Sequence, residues 1–308
     1  MRLFTGLNMV LLYSTTMFSK FSRIHPRSAV GFAAAFSTPN TPLNTRGNVM
    51  DENTEKSFGS ELPPWNDPRV EERAQGKQPY RSRQHVNPLA SKFQQPTILS
   101  PEWPKDVFKD LTRPLFLDIG CSRGGFLVEF ASLRPNDYNY LGLEIRPIVV
   151  HQAKSRVAKH GLEGVLDFVG CNANVDLERL LTVAEANDKL EMVTIQFPDP
   201  HFKARHAKRR VVTPELVLTL AKFMPPGATV FLQSDIKSVL DDMRFQFRLE
   251  SSLFQDVVED EEDYLSENIF PVPTEREVSV LEKDLPVYRT AFKRTTERFF
   301  IDDEQPQS

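Results

Sequence analysis

Leu115-Phe116-Leu117-Asp118-Ile119, running straight into Gly120-Cys121-Ser122-Arg123-Gly124-Gly125, is the stretch that decides the fold. The first five residues are a short, mostly apolar run, the pattern of a strand covered on both faces. The glycine turn follows, and Phe126 to Leu133 then reads as a helix. Strand, glycine turn and helix open the nucleotide-binding half of a doubly wound α/β sheet. The glycines permit backbone conformations and close approaches that a Cβ would block. The spacing is not Gly-x-Gly-x-x-Gly. That argues against a pyrophosphate on the helix N-terminus, and so against NAD or FAD.

Downstream of the turn, Tyr140-Leu141-Gly142-Leu143 forms a second strand and ends in Glu144. An acid at that place, about 20 residues after the glycine loop, is positioned for the two hydroxyls of a ribose. A helix is expected from about Arg146 to His160, with Val150, Ala153 and Val157 on one face and Gly161 as its stop. Strand three, Val165 to Val169, delivers Gly170-Cys171-Asn172. Asn172 is placed either to take the amine and ring nitrogen of an adenine or to cap the following loop. A ribose acid, an amide for the base and no phosphate cradle describe an adenosine without phosphate. With Asp118 and Gly120 at the first turn, the cofactor expected is S-adenosyl-L-methionine.

A fourth strand, Met192-Val193-Thr194-Ile195, leads to Phe197-Pro198-Asp199-Pro200-His201-Phe202-Lys203. Each proline fixes its own φ and restricts the residue before it, so Asp199 has little backbone freedom. Five cations, Lys203, Arg205, Lys208, Arg209 and Arg210, fall within the eight residues 203–210. Pro-Asp-Pro is also ordinary turn composition, and a basic run is also an ordinary solvated face. A fixed acid beside a dense cationic strip nevertheless suits a site where a polyanion brings one neutral group to be held.

Thr213-Pro214-Glu215 starts a helix, with Thr as N-cap and Pro at the first helical position. Strand five, Thr229 to Gln233, delivers Ser234-Asp235, and Val239, Met243 and Phe247 mark the next helix. The six acids between 256 and 263 read as a solvated loop. Thr274-Glu275-Arg276-Glu277 has the spacing of a capping box. The last strands are expected near Val287-Tyr288-Arg289 and Arg298-Phe299-Phe300-Ile301. The fold class expected is a Rossmann-like class I S-adenosylmethionine-dependent methyltransferase: a mostly parallel seven-stranded sheet with helices on both faces.

The 308 residues hold 38 Lys/Arg against 42 Asp/Glu, a net charge of −4. Such a chain is no bulk nucleic-acid binder, and any binding of that kind must come from local clustering. Two cysteines, Cys121 and Cys171, are too few for a disulfide framework or a thiolate zinc site. No metal and no membrane partner is expected. Residues 1–50 contain no acid, five Lys/Arg and eleven Ser/Thr. That is the composition of an organelle transit peptide, or of a leader with no address. Residues 51–80 read as a flexible linker, 81–301 as the catalytic domain beginning with a basic arm, and 302–308 as a disordered tail.

Taken together, these motifs resemble the tRNA (guanine-N7-)-methyltransferases in their bacterial and plant single-chain form. The resemblance runs from about Arg83 to Lys293. It rests on Arg83-Gln84-His85-Val86-Asn87-Pro88-Leu89, Leu117-Asp118-Ile119-Gly120 and Asn139 to Arg146. It continues through Phe197 to Arg210, Gln233-Ser234-Asp235 and Thr274-Glu275-Arg276-Glu277. It implies a cofactor site at Asp118, Gly120, Glu144, Asn172 and Asp199. Many members carry Glu at the Asp118 position and Asp at the Asn172 position; both departures keep a hydrogen-bond acceptor. It implies substrate contacts at Lys203, Asp235, Thr274, Glu275, Arg276 and Glu277, and Asp199 as the catalytic acid. Arg205, Lys208, Arg209 and Arg210 would meet RNA phosphates. The activity implied is methylation of guanine N7 at position 46 in the tRNA variable loop, in a plastid or, alternatively, a mitochondrion. Two other readings stand beside it: a methyltransferase of this fold acting on another RNA or a protein, and a non-catalytic RNA-binding protein on the same fold.

Overall fold

The computed structural model describes residues 62–75, 85–201, 204–258, 260 and 262–297, with Gln75 and 204–206 by backbone alone. Its centre is β1 (Leu115–Ile119), buried at every position. β2 (Asn139–Glu144) and β3 (Leu166–Gly170) extend the sheet to one side. β4 (Leu190–Gln196) and β5 (Thr229–Ser234) extend it to the other. All five are parallel. β7 (Tyr288–Arg294) pairs antiparallel with β5, and β6 (Phe254–Asp256) closes the edge beside it. The order is β3-β2-β1-β4-β5-β7-β6. The order in which strands are added reverses between β1 and β4, and at such a switch point a crevice opens beyond the carboxyl ends of the strands.

The period-2 pattern of the strands splits the core into two layers. On one face Leu115, Leu117, Val193, Ile195, Val230 and Leu232 pack under three helices: α4 (Ala173–Val183), α5 (Pro214–Phe223) and α6 (Lys237–Leu249). On the other, Phe116, Tyr140, Phe168 and Phe231 pack under α2 (Gly125–Leu133) and α3 (Pro147–Lys159). Phe116 lies at the hub of an aromatic cluster with Phe126, Phe130, Tyr138, Tyr140 and Phe270. The expected helix starts hold: Thr213 Oγ1 accepts from Leu216 N, with Pro214 at the first turn. Thr274 and Glu277 form the expected capping box of α7 (Glu275–Leu281).

Two expectations need correction. Part of the supposed linker is structured: α1 (Pro68–Gln75) packs on α3. Ahead of it Trp65 is 5% exposed. Its indole N–H donates to Ile145 O at 3.0 Å, and its ring lies against Gly170, where a Cβ would come within 2.4 Å. A single buried aromatic anchors a segment whose average composition is polar.

The acid-rich stretch is likewise not simply solvated. Asp256 ends β6 and receives Arg244 Nε at 2.6 Å and Arg248 Nε at 2.8 Å. The buried Arg244 guanidinium also donates to Val258 O, Asp260 O and Asp263 O. Pairing, rather than hydration, therefore places the start of this loop. The expected leader, the tail, the strand at 298–301, Arg81 to Gln84 and Lys203 lie outside the described residues.

Candidate active site

A cavity of about 530 Å³ occupies the crevice beyond the strand ends. Asp118, Gly120, Glu144, Asn172, Asp199, Asp235, Thr274, Glu275 and Arg276 all line it. Residues more than 150 positions apart in sequence thus meet at one place, because each leaves the carboxyl end of a strand or the loop behind it.

Asp118 is the last polar residue of β1 and is 4% exposed. Its Oδ1 accepts from Thr194 Oγ1 at 2.6 Å. Burial raises its carboxyl to about 6, against the lowering hydrogen bonds of Thr194 and Gln196, and nearby Glu144 adds to the rise. Gly120 has φ +85°, a conformation that requires glycine, and no heavy atom lies within 4 Å of where its Cβ would stand. The turn therefore leaves room for a ligand against the backbone.

Glu144 is 3% exposed and held by one neighbour. Arg146 donates to Oε1 from its backbone N at 2.8 Å and from Nε at 2.9 Å, and to Oε2 from Nη2 at 2.9 Å. Asn172 is engaged as a cap and a tie. Its Oδ1 accepts from Asn174 N at 3.2 Å, opening α4. Its Nδ2 donates to Pro88 O and Phe93 O, both at 3.2 Å. Of the two sequence readings for Asn172, the cap accounts for these contacts, and the side chain also stands on the cavity wall.

The β4 turn carries strain. Phe197 has φ +50°, in the left-handed region that a bulky residue avoids, and it directly precedes Pro198. Its backbone N donates to Gln233 O at 2.8 Å, which holds it there. Strain of this kind persists where the surrounding structure over-determines it, and it clusters at functional sites. Asp199, two residues on, is 39% exposed at its side chain, and Oδ1 lies 2.7 Å from His85 Nδ1.

The substrate set divides. Thr274, Glu275 and Arg276 face the cavity, and the Arg276 guanidinium pairs with Asp235. Glu277 does not face it. It is 2% exposed, and its Oε1 accepts from Arg289 Nη2 at 2.7 Å while Oε2 accepts from Asn268 Nδ2 at 2.8 Å. The capping box turns its side chain inward, away from the cavity that Thr274, Glu275 and Arg276 line.

In the basic run Lys208 is exposed and Arg209 lines the cavity. Arg210 pairs with Asp242 and donates to His201 O, and so has partners on the protein itself. The side chain of Arg205 lies outside the described residues. Cys121 and Cys171 are buried on the cavity wall, and burial pushes both thiols well up, so neither is a reactive thiolate. Among the wall residues not foreseen as parts of the site are His85, Arg146 and Gln196.

Carboxylates at three adjacent strand ends suit hydroxyls and an ammonium and oppose a phosphate. A protein aligned with this chain over most of both lengths decides between the readings of such a site. The "tRNA (guanine-N(7)-)-methyltransferase" of Microcystis aeruginosa is 50% identical over 213 residues, covering 69% of this chain and 97% of its own. The chain belongs to the tRNA (guanine-N7-)-methyltransferase family. The protein of the same name from Synechocystis sp. is 44% identical over 215 residues, 70% of this chain and 98% of its own. A family model described as a putative methyltransferase matches residues 112–290. Among solved structures, an antibiotic-related methyltransferase aligns over 66% of this chain and 98% of its own at 10% identity, TM-score 0.42, too distant to bear on function.

The cofactor of a guanine-N7 methyltransferase is S-adenosylmethionine, and the residues present fit it. The open glycine turn, the acceptors Asp118 and Glu144 and the absence of a dinucleotide glycine spacing all match an adenosine bearing a cationic, zwitterionic tail.

Proposed function

We propose that this chain transfers the methyl group of S-adenosylmethionine to N7 of guanine 46 in the variable loop of tRNA. The observation that carries the reading is Asp199, set on a strained, proline-clamped turn at the wall of a cavity whose other strand ends carry Asp118 and Glu144. The bound cofactor supplies an electrophilic methyl on a sulfonium. Guanine N7 has a free lone pair and needs no base to remove a proton before it attacks. The protein's tasks are therefore alignment and placement of charge.

Methylation leaves a positive charge on the purine. The Asp199 carboxylate favours that developing charge and accepts from guanine N1–H and its exocyclic amine. His85 holds Oδ1 of the same carboxylate and so fixes its orientation. Glu144 takes the ribose hydroxyls, sharing or exchanging its hold on Arg146. Asp235 with Arg276, and Thr274 with Glu275, form the far wall against which the base is placed. Lys208 and Arg209, together with Lys203, meet the RNA phosphates, positioning the tRNA without reading its bases. The guanine leaves its stacking partners to reach the cavity.

The reading is tested with labelled cofactor and an unmodified tRNA transcript. Methyl incorporation is expected, and it is expected to vanish when the variable-loop guanine is replaced by adenine; equal incorporation into both transcripts would refute it. Lys208→Ala is expected to weaken tRNA binding and to flatten its dependence on salt, since one phosphate contact releases about one counterion. An unchanged slope would remove Lys208 from the interface.

We also infer plastid import. The relatives named above are cyanobacterial, and residues 1–50 have the acid-free, Ser/Thr-rich, Arg-bearing composition of a transit peptide. A fluorescent protein carrying residues 1–50 is expected inside plastids; a cytosolic signal would overturn this.

A further inference from the structure

Trp65 precedes the residues that the family model matches, 112–290, yet it reaches the ends of two strands at the cavity. Glu144 ends β2 and is paired in register with Gly170, which ends β3. The indole touches both ends. Its N–H donates to Ile145 O at 3.0 Å, and its ring fills the space that a Gly170 side chain would need. It also meets Phe93, at 5.8 Å between ring centroids, whose carbonyl accepts from Asn172 Nδ2. One buried side chain thus backs the stretches that carry Glu144 and Asn172.

What the indole fixes is a whole peptide unit. A trans peptide is planar, so its C=O and N–H point in opposite directions. The carbonyl of the Ile145–Arg146 unit is held by Trp65, and its N–H donates to Glu144 Oε1 at 2.8 Å. Holding the carbonyl therefore aims the N–H that sets the carboxylate. The Arg146 side chain holds Glu144 as well, from Nε and Nη2, each at 2.9 Å. A carboxylate offers about four acceptor sites. Three are taken by these donors, so two ribose hydroxyls enter together only if a guanidinium bond opens. The backbone N–H need not move, and it stays as the tether of Glu144 when the arginine gives way.

We propose that Trp65 is a positioning residue of the cofactor site: through the Ile145–Arg146 peptide it holds Glu144 at the angle at which its oxygens meet the ribose hydroxyls. The inference rests on the cofactor reading above, with Glu144 as the ribose acid. Phenylalanine could pack at this place; only tryptophan also supplies the N–H. The proposal carries the site back to residue 65, ahead of the glycine turn and its strand.

The test is calorimetric titration of the full chain with S-adenosylhomocysteine and with an analogue lacking both ribose hydroxyls. The proteins are wild type, Trp65→Phe and Gly170→Ala. Trp65→Phe keeps a ring and removes the donor. Gly170→Ala displaces the indole, since the added Cβ would come within 2.4 Å of it. Wild type is expected to prefer S-adenosylhomocysteine by about ten-fold or more, the range of a hydrogen bond to a charged group. Both variants are expected to bind it about three- to ten-fold more weakly, the effect of one ordinary hydrogen bond, with the analogue bound as by wild type. In turnover, the KM of Trp65→Phe for the cofactor should rise in the same proportion while kcat holds. A variant that is partly unfolded still answers, because a smaller folded fraction weakens both ligands alike and leaves their ratio unchanged. An unchanged ratio in both variants would show a merely structural role and overturn the proposal. Wild type binding both ligands equally would refute Glu144 as the ribose acid, and binding neither would refute the cofactor reading; the proposal falls with either.

Discussion

Asp199→Ala is expected to lower kcat for tRNA methylation about 10²–10³-fold, the usual cost of removing one preorganised electrostatic group from a transition state. Three features make Asp199 that group. The strained Phe197 and the two flanking prolines hold its backbone, so little reorganisation is needed when charge develops on the purine. His85 fixes one of its oxygens at 2.7 Å. It shares the cavity wall with the acids that suit the cofactor, so base and methyl donor meet beside it. S-adenosylhomocysteine binding is expected to weaken only modestly, because Asp118 and Glu144 remain. Stability should hardly change, since the side chain is 39% exposed and its loss leaves no buried charge alone. Asp199→Asn separates charge from shape: it keeps one acceptor but loses the anion, and should remain close to the alanine variant in rate. Wild-type turnover in either variant would contradict the role.

Glu277→Ala is expected to act through folding, destabilising the protein by about 3–5 kcal/mol in denaturant unfolding, as when one partner of a buried ion pair is removed. Arg289, 6% exposed, would be left with an uncompensated charge. Gln233 and Asn268 would each lose an acceptor, and α7 would lose half of its capping box. A substrate-contact role for Glu277 makes the opposite forecast: wild-type stability with a raised KM for tRNA.

Much of this architecture can be read from local pattern. The buried run before Gly120, the acid closing β2 and the apolar run before Pro198 mark the ends of β1, β2 and β4, and strand ends are where an α/β sheet gathers its ligand. Asp118, Glu144 and Asp199 were legible for that reason. What escaped depends on where distant backbone comes to rest. His85 reaches Asp199 because Asn172 ties the carbonyls of Pro88 and Phe93 down beside the cavity, and no periodicity encodes that tie. Glu277 sits in a motif that names its backbone role, but the inward turn of its side chain is set by Arg289 on β7. Arg210 belongs to a cationic run that reads as uniform, yet Asp242 on α6 withdraws it. Trp65 and Asp256 show the same limit from the side of composition. One aromatic, or one paired carboxylate, outweighs the polar average of its neighbours.

The most direct test of the central claim incubates the chain alone with S-adenosylmethionine and unmodified tRNA, then maps the product by reduction and aniline cleavage. That chemistry breaks RNA at N7-methylguanosine. A single scission in the variable loop at guanine 46 is the predicted result. Methylated tRNA that resists cleavage, or that breaks at another guanine, would contradict it.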